Sequence, residues 1–336
     1  MQRLMRLIAA LICLPTLATA HHSRAEFSEI DRELEGRLLE VQWRNPHPIF
    51  RLATVDDAGQ EAEWRLEAYG NALTLQRTGL SADMFVVGDI VRVAGKLSKR
   101  RANVLLANHI LLGDGREAVL EYESEPYFTE EHIGGSSSWV VDEEVLARAA
   151  TENRGFFRVW SLPMRGLDRE HSPFTEAAIA ARASWDVLDN YLTRCEPGGM
   201  PHAMKNPQRY ELVQGDGEIY IRSQFFNIER TIHMENAENP ADQPASRLGY
   251  SVGRWEDENT LVVETSRINW PYFDTRGTPQ TEDVEVFERF TLSEDQSRLD
   301  FHMTVSEPAT FTEPATFDKY WLAMGGELLH YECVVE

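Results

Sequence analysis

The sequence predicts a mainly β protein: an OB-like five-stranded small barrel, then a larger antiparallel β-barrel or sandwich with a short helix. Three observations carry this. Stretches of alternating apolar and polar residues recur along most of the chain, with turn residues between them. In the first third, the order strand, strand, strand, helix, strand, strand is that of an OB-type barrel. An acidic stretch with a glycine–serine run separates this part from a second set of strands. The expected organisation is a signal peptide over 1–20, the OB-like domain over 21–115, an acidic linker over 116–150 and the larger domain over 151–336.

The leader is read from Arg3 and Arg6, the short apolar run Leu7–Leu14, the breaking Pro15, and the small-x-small site Ala18-Thr19-Ala20. A lipoprotein anchored at Cys13 is the rival, but Ile12 is large where such a signal needs a small residue. No later stretch is apolar and long enough to span a bilayer. The expected product is a soluble periplasmic or secreted protein. It retains Cys195 and Cys333, and an oxidising compartment favours a bridge between them over two buried thiols.

In the first domain, Leu34–Trp43 alternates, with Leu39, Val41 and Trp43 on one face. Asn45-Pro46-His47-Pro48 is a turn cluster that no strand interior accepts. Ile49–Val55 and Glu61–Glu67 are the next strands, Asn71–Arg77 is a short helix, and Ile90–Ala94 and Asn103–Leu112 complete five. A split sandwich is the alternative. In the linker, Glu121, Glu123, Glu125, Glu130 and Glu131 precede Gly134-Gly135-Ser136-Ser137-Ser138. Beyond it, Thr175–Leu188 has helical spacing, with Ile179, Trp185 and Leu188 on its apolar side. Strands are expected at Glu218–Phe226, Glu229–Met234, Thr260–Thr265, Val284–Leu292 and Leu299–Val305.

Charge is unevenly spread. Residues 21–115 carry 12 basic against 14 acidic side chains, and residues 116–336 carry 19 against 41. Such an acidic second half repels phosphate backbones, so nucleic acid is excluded as a partner. The nucleotide-binding and H-E-x-x-H motifs are absent, and no nucleotide cofactor is expected.

His21-His22-Ser23, Asn45-Pro46-His47, Trp64-Arg65-Leu66-Glu67 and Gly88-Asp89-Ile90-Val91 together resemble a family of exported bacterial proteins known only as a domain of unknown function. The resemblance covers residues 21–115 and implies location and fold, but no reaction. Gly249–Glu256 and Thr260–Thr265 are similar to uncharacterised regions that follow such domains. Here Asp257-Glu258-Asn259 stands in place of a shorter Gly-Asp turn.

Two constellations are candidates for chemistry. Cleavage after Ala20 gives His21 a free amine beside its imidazole, a chelating pair for one metal ion. His47 supplies a third nitrogen from its Pro-flanked turn, with His22 and His109 in reserve. The nitrogen set suits copper, with zinc as competitor. The terminus, and nothing else, is similar to that of the lytic copper oxygenases. Cleavage after Ala18 would instead make His21 the third residue. The second constellation is Arg230, Glu264 and Glu288, each a lone charge on an otherwise apolar strand face. Buried charges must pair, so the simplest solution joins Arg230 to Glu288 or Glu264. The functional reading places Arg230 on a ligand in a cavity, with a carboxylate as acid or base.

Three functions follow. The first is an exported binding protein with a histidine metal site and a small-molecule cavity in the second domain. The second is an enzyme using Arg230, Glu264 and Glu288. The third is an assembly module without a small ligand.

Overall fold

The computed structural model describes residues 26–56, 58–151, 155–163, 168–186, 189–234 and 237–334. His21, His22 and the expected leader lie outside the described residues. Among those described, no helix is long and apolar enough to cross a membrane.

The first sheet begins with β1 (Phe27–Gln42), β2 (Ile49–Val55) and β3 (Glu61–Ala68), continues after helix α1 (Ala72–Arg77) with β4 (Ile90–Ser98) and β5 (Val104–Leu111), and ends with β6 (Glu117–Val119) and β7 (His132–Gly134). β1 pairs with both β2 and β4, β2 with β3, and β4 with β5. β5 then runs parallel to β3, from Arg65↔Val104 to Ala68↔Ala107, and closes a ring of five. This is the OB-type connectivity that the element order predicts. Leu38, Phe50, Leu52, Leu66, Val93 and Leu105 fill the ring. Asn71 caps α1 by accepting from the Thr74 N–H at 2.9 Å.

The expected face of β1 needs correcting. Leu38 is buried and Leu39 exposed, because the pairing with β2 shifts register between Leu38 and Glu40. A bulge adds one residue and exchanges the faces on its two sides. Val41 and Trp43 therefore still reach the core.

The acidic stretch after β5 carries two strands. β6 pairs with β5, and β7 runs parallel to β6. Glu117 is fully buried on β6. Its carboxylate accepts the backbone N–H groups of Tyr127, Phe128 and Thr129 and contacts His109 Nδ1 at 2.8 Å. Burial pushes this carboxyl up, but the hydrogen bonds outweigh burial and hold it below the usual range. One acid thus organises the 127–129 loop. Helix α2 (Glu143–Thr151) follows.

The second sheet is built from β8 (Val159–Trp160), β9 (Arg169–His171), β10 (Tyr210–Gln214), β11 (Glu218–Ser223), β12 (Ile228–His233), β13 (Tyr250–Asp257), β14 (Thr260–Ser266), β15 (Glu285–Leu292), β16 (Arg298–Ser306) and β17 (Ala315–Leu322), with helix α3 (Glu176–Ser184) after β9. The order is β8-β10-β11-β12-β13-β14-β15-β16-β17-β9. It is one curled sheet, a half-barrel, so of the two expected forms the sandwich is set aside. Pairing is antiparallel except between β12 and β13, which run parallel. Near the two margins, Ser161 and Leu322 exchange backbone hydrogen bonds of 3.0 and 2.8 Å. Trp160, Tyr210, Phe290, Phe301 and Trp321 pack the inside. Helix α3 is shorter than its spacing suggests. Trp185 already has extended backbone, and Ile179 is 56% exposed.

The two sheets meet through specific contacts. Arg77, at the end of α1, donates to Leu162 O at 2.7 Å and Pro207 O at 2.9 Å, and stacks on Trp139. The Gln208 amide donates to Thr74 Oγ1. The C-terminal segment crosses the junction: Asn45 N and Nδ2 donate to Glu332 O, and Val334 N donates to Asn45 O. Tyr331 packs with Leu73 and Phe225. A disulfide joins Cys195 to Cys333 across 138 residues of sequence.

A cross-link closing so long a loop contributes up to about 5 kcal/mol in the chain-entropy treatment. Reduction, or the Cys195→Ser/Cys333→Ser pair, is expected to lower the melting temperature by several degrees. Melts followed by near-UV circular dichroism test this. Identical curves with and without reductant would remove the disulfide as a stabilising element.

Candidate functional site

Inside the half-barrel, Arg230 on β12 and Glu288 on β15 are 3% and 0% exposed. Both guanidinium Nη atoms bond the carboxylate, Nη1 to Oε1 at 2.9 Å and Nη2 to Oε2. Nε donates to Ser251 Oγ at 3.0 Å, Nη2 also donates to Thr265 Oγ1 at 2.7 Å, and the two hydroxyls are 3.0 Å apart. Four of the five N–H groups are engaged, and both carboxylate oxygens are occupied. Nearly every valence is spent on fixed protein neighbours. The geometry is that of a structural pair specifying the inner face.

Glu264 is not part of this group. The register pairs Val263, not Glu264, with Glu288. Glu264 therefore points to the outer face, where it is exposed and bonds Arg254 at 2.9 Å. The sequence parity was misleading because Leu261, Val262 and Val263 are all buried. Arg254 and Arg289 flank Val262 on the adjoining strands, so both faces of β14 read as apolar. His233 and His302 are partly exposed on the outer face, beside Glu218 and Asp318 respectively.

His47 is partly buried at the tip of the first hairpin, in the turn whose Asn45 is bonded to the C-terminal segment. His109 is buried, with Nδ1 on Glu117 at 2.8 Å. Among the described residues, no group of three His, Cys, Asp or Glu side chains is arranged to hold a metal ion.

Sequence reasoning missed Lys319. It lies inside β17, 5% exposed, and donates to Met204 O at 2.7 Å and Asn206 O at 3.3 Å. The rings of Tyr210, Phe301, Phe317 and Trp321 surround its amine. Burial brings its pKa down to about 7; Lys205 adds to the fall, while Asp168 and Glu288 oppose it. The alternation of β17 (Phe317, Lys319, Trp321) carried the signal, since Lys319 falls on the apolar face.

A cavity of about 760 Å³ lies outside the β8–β10 margin. Val145, Arg148 and Ala149 of α2, then Phe157 and Arg158, form its walls, with Gly325 and Gly326 of the C-terminal segment opposite. Gly326 has φ +90°, and a Cβ there would sit 2.6 Å from Arg209 Nη1. Only glycine lets the chain turn so tightly against that guanidinium. Burial lowers the Arg209 pKa. No motif marks this site, because its residues come from four separated segments.

Fold and sites define the class: a mainly β protein that joins an OB-type ring to a curled half-barrel sheet. Residues 9–105 match the model of a family of unknown function (DUF6152). The match takes in the quoted motifs of the first barrel and bears out the resemblance to an uncharacterised family. No curated protein matches the chain.

Two outcomes are expected. Arg230→Met and Glu288→Gln should each cost about 3–5 kcal/mol in urea titrations, and the double substitution less than the sum. Additive losses would mean that the two side chains act independently. Lys319 is depressed in the folded state, so the unfolded chain binds more protons between pH ~7 and ~10.5. Its contribution to stability is present above that window and lost as pH falls through it. Lys319→Met is expected to raise the neutral-pH melting temperature and flatten the rise towards pH 10. An unchanged slope would refute the assignment.

Proposed function

We propose that this chain is an exported binding protein that holds a metal ion at the terminus of its first barrel. His21 would bind through its amine and imidazole, with His47 and His22 completing a nitrogen set suited to copper, and zinc competing. Export rests on the leader pattern of the first twenty residues, and a disulfide suits the same compartment.

The observation that carries the metal reading is how ring closure returns the start of β1 towards the His47 turn. Phe27 packs in one cluster with Val104, Leu106 and Tyr69. Tyr69 follows Ala68, whose N–H donates to Pro48 O at 2.9 Å. The five Cα-to-Cα steps from His22 to Phe27 reach at most about 17 Å. That is enough to bring the terminal histidines to a turn on the same side of the barrel.

In the second domain, the saturated Arg230–Glu288 pair offers a ligand little, and the cavity beside α2 is the better candidate for a small-molecule site. Metal analysis of protein exported with its native terminus tests the first reading. About one copper or zinc per chain is expected, and His47→Ala or one extra residue before His21 should reduce it severalfold. Metal well below one per chain in the unaltered protein would end the proposal.

A further inference from the structure

We propose that the wedge between the first half of β1 and the β2–β3 hairpin receives an extended, basic and aliphatic segment of a partner protein, which adds to β1 as a strand. None of the wedge residues belongs to the metal reading or to the cavity beside α2. The wedge follows from how β1 is shared. It pairs with β4 at Phe27 and from Asp31 to Arg37, and with β2 from Arg37 to Gln42. At Gly36 the two strands cross in contact, since a Cβ there would lie 2.2 Å from Ala53 O. Only glycine admits that approach.

Two strand edges therefore open on one space. Before Arg37, β1 has a ladder neighbour on its β4 side alone among the described residues. Beyond Ala53, Thr54 and Val55 of β2 pair with Ala62 and Glu61 of β3 and no longer with β1. A groove of about 620 Å³ takes both edges into its walls, Glu35 and Gly36 from one, Thr54 and Val55 from the other. Leu39, Val55 and Ile90 give it an exposed apolar lining. Exposed Val86 and Val87 continue the patch through the turn in which Gly88 N donates to Leu38 O. Exposed apolar side chains gathered in this way mark an interaction surface, and open strand edges beside them favour strand addition.

Charge selects the partner. Glu35 and Glu61 stand exposed in the walls and, among the described residues, form no ion pair. Glu63 shares Arg51 with Glu40, and the Arg37 guanidinium is turned to Gly88 O. The open half of β1 adds Glu29 and Asp31 against Arg32, with Glu33 already bonded to Arg92. Charged edges ward off unwanted pairing, and acids that repel an acidic strand admit a basic one. A second copy of this chain brings the same acids and a formal charge of -22, so it is repelled. A segment alternating lysine or arginine with aliphatic residues meets each feature. Its backbone bonds the β1 edge, its aliphatic side chains cover Leu39, Val55 and Ile90, and its cations reach Glu35 and Glu61.

The test uses the full disulfide-bonded chain and a fluorescein-labelled peptide of about seven residues alternating lysine and valine, followed by anisotropy. Its glutamate–valine counterpart and a lysine-only peptide are the controls. The lysine–valine peptide is expected to bind with Kd below about 100 μM at ~0.1 M salt, and both controls at least about tenfold more weakly. Glu35→Lys combined with Glu61→Lys should weaken it at least about tenfold, and Ile90→Ser severalfold. The melts should not change, because all three side chains are exposed. Glu294→Lys, in the exposed turn between β15 and β16, should leave binding as it is. Amide exchange over residues 28–36 should slow when the peptide binds. The inference is overturned by absent binding, by a control peptide that binds as tightly, or by binding indifferent to the paired Glu35 and Glu61 changes. Binding without slowed exchange overturns it too, since no strand is then added. A dimer in sedimentation that Ile90→Ser dissolves would give the face to a second copy and end the proposal.

Discussion

The bond between Cys195 and Cys333 sets the course of the last chain segment, and both candidate sites depend on that course. From Leu322 the chain leaves the sheet and turns at Gly325-Gly326 against α2 and Arg209. It then exchanges two hydrogen bonds between Tyr331 and Asn227 and ends on Asn45 of the first barrel. The same segment is thus a wall of the cavity and the support of the His47 turn. Held by weak contacts alone, so exposed a strap would fray as termini do. The cross-link removes that freedom, and it connects a site on one sheet to a turn on the other. Arg77 completes the junction from the first barrel by inserting a charged side chain between backbone carbonyls of the second.

Charge is handled differently inside and outside the half-barrel. Outside, acids and arginines form exposed pairs such as Arg254–Glu264 and Arg222–Glu229, each contributing little to stability. Inside, one arginine, one glutamate and one lysine sit among aromatic rings. There the desolvation cost is high, and geometry decides the balance. Arg230 and Glu288 meet it by mutual bonding and two hydroxyls, whereas Lys319 meets it with two carbonyls and a lowered pKa. These groups fix one arrangement of the inner face, because no other register satisfies them.

How much of this was legible depended on periodicity. The first barrel was readable because its strands are short, half-buried and bounded by turn residues, and because a helix with an Asn cap falls between the third and fourth. What escaped had local causes. A bulge exchanged Leu38 and Leu39. Glu117 belongs to an acidic run, and its burial depends on the backbone of a loop ten residues away. β14 is apolar on both faces, so parity alone could not decide where Glu264 points. The pairing of Arg230 with Glu288 was foreseeable, since each was the lone charge on an apolar face. The cavity was not, because it is made by segments separated by up to about half the chain.

That contrast bears on which site carries the function. A charge placed by strand alternation belongs to the same pattern that builds the core, and its neighbours are chosen to satisfy it. Arg230 fits that description, with serine, threonine and glutamate arranged around it. Arg209 and Arg158 are placed differently. They lie at the sheet margin and are held by carbonyls of chain segments that the fold brings in from elsewhere. A cavity at such a margin, walled by segments that meet only in the folded chain, is not dictated by core packing and is the better place for a ligand.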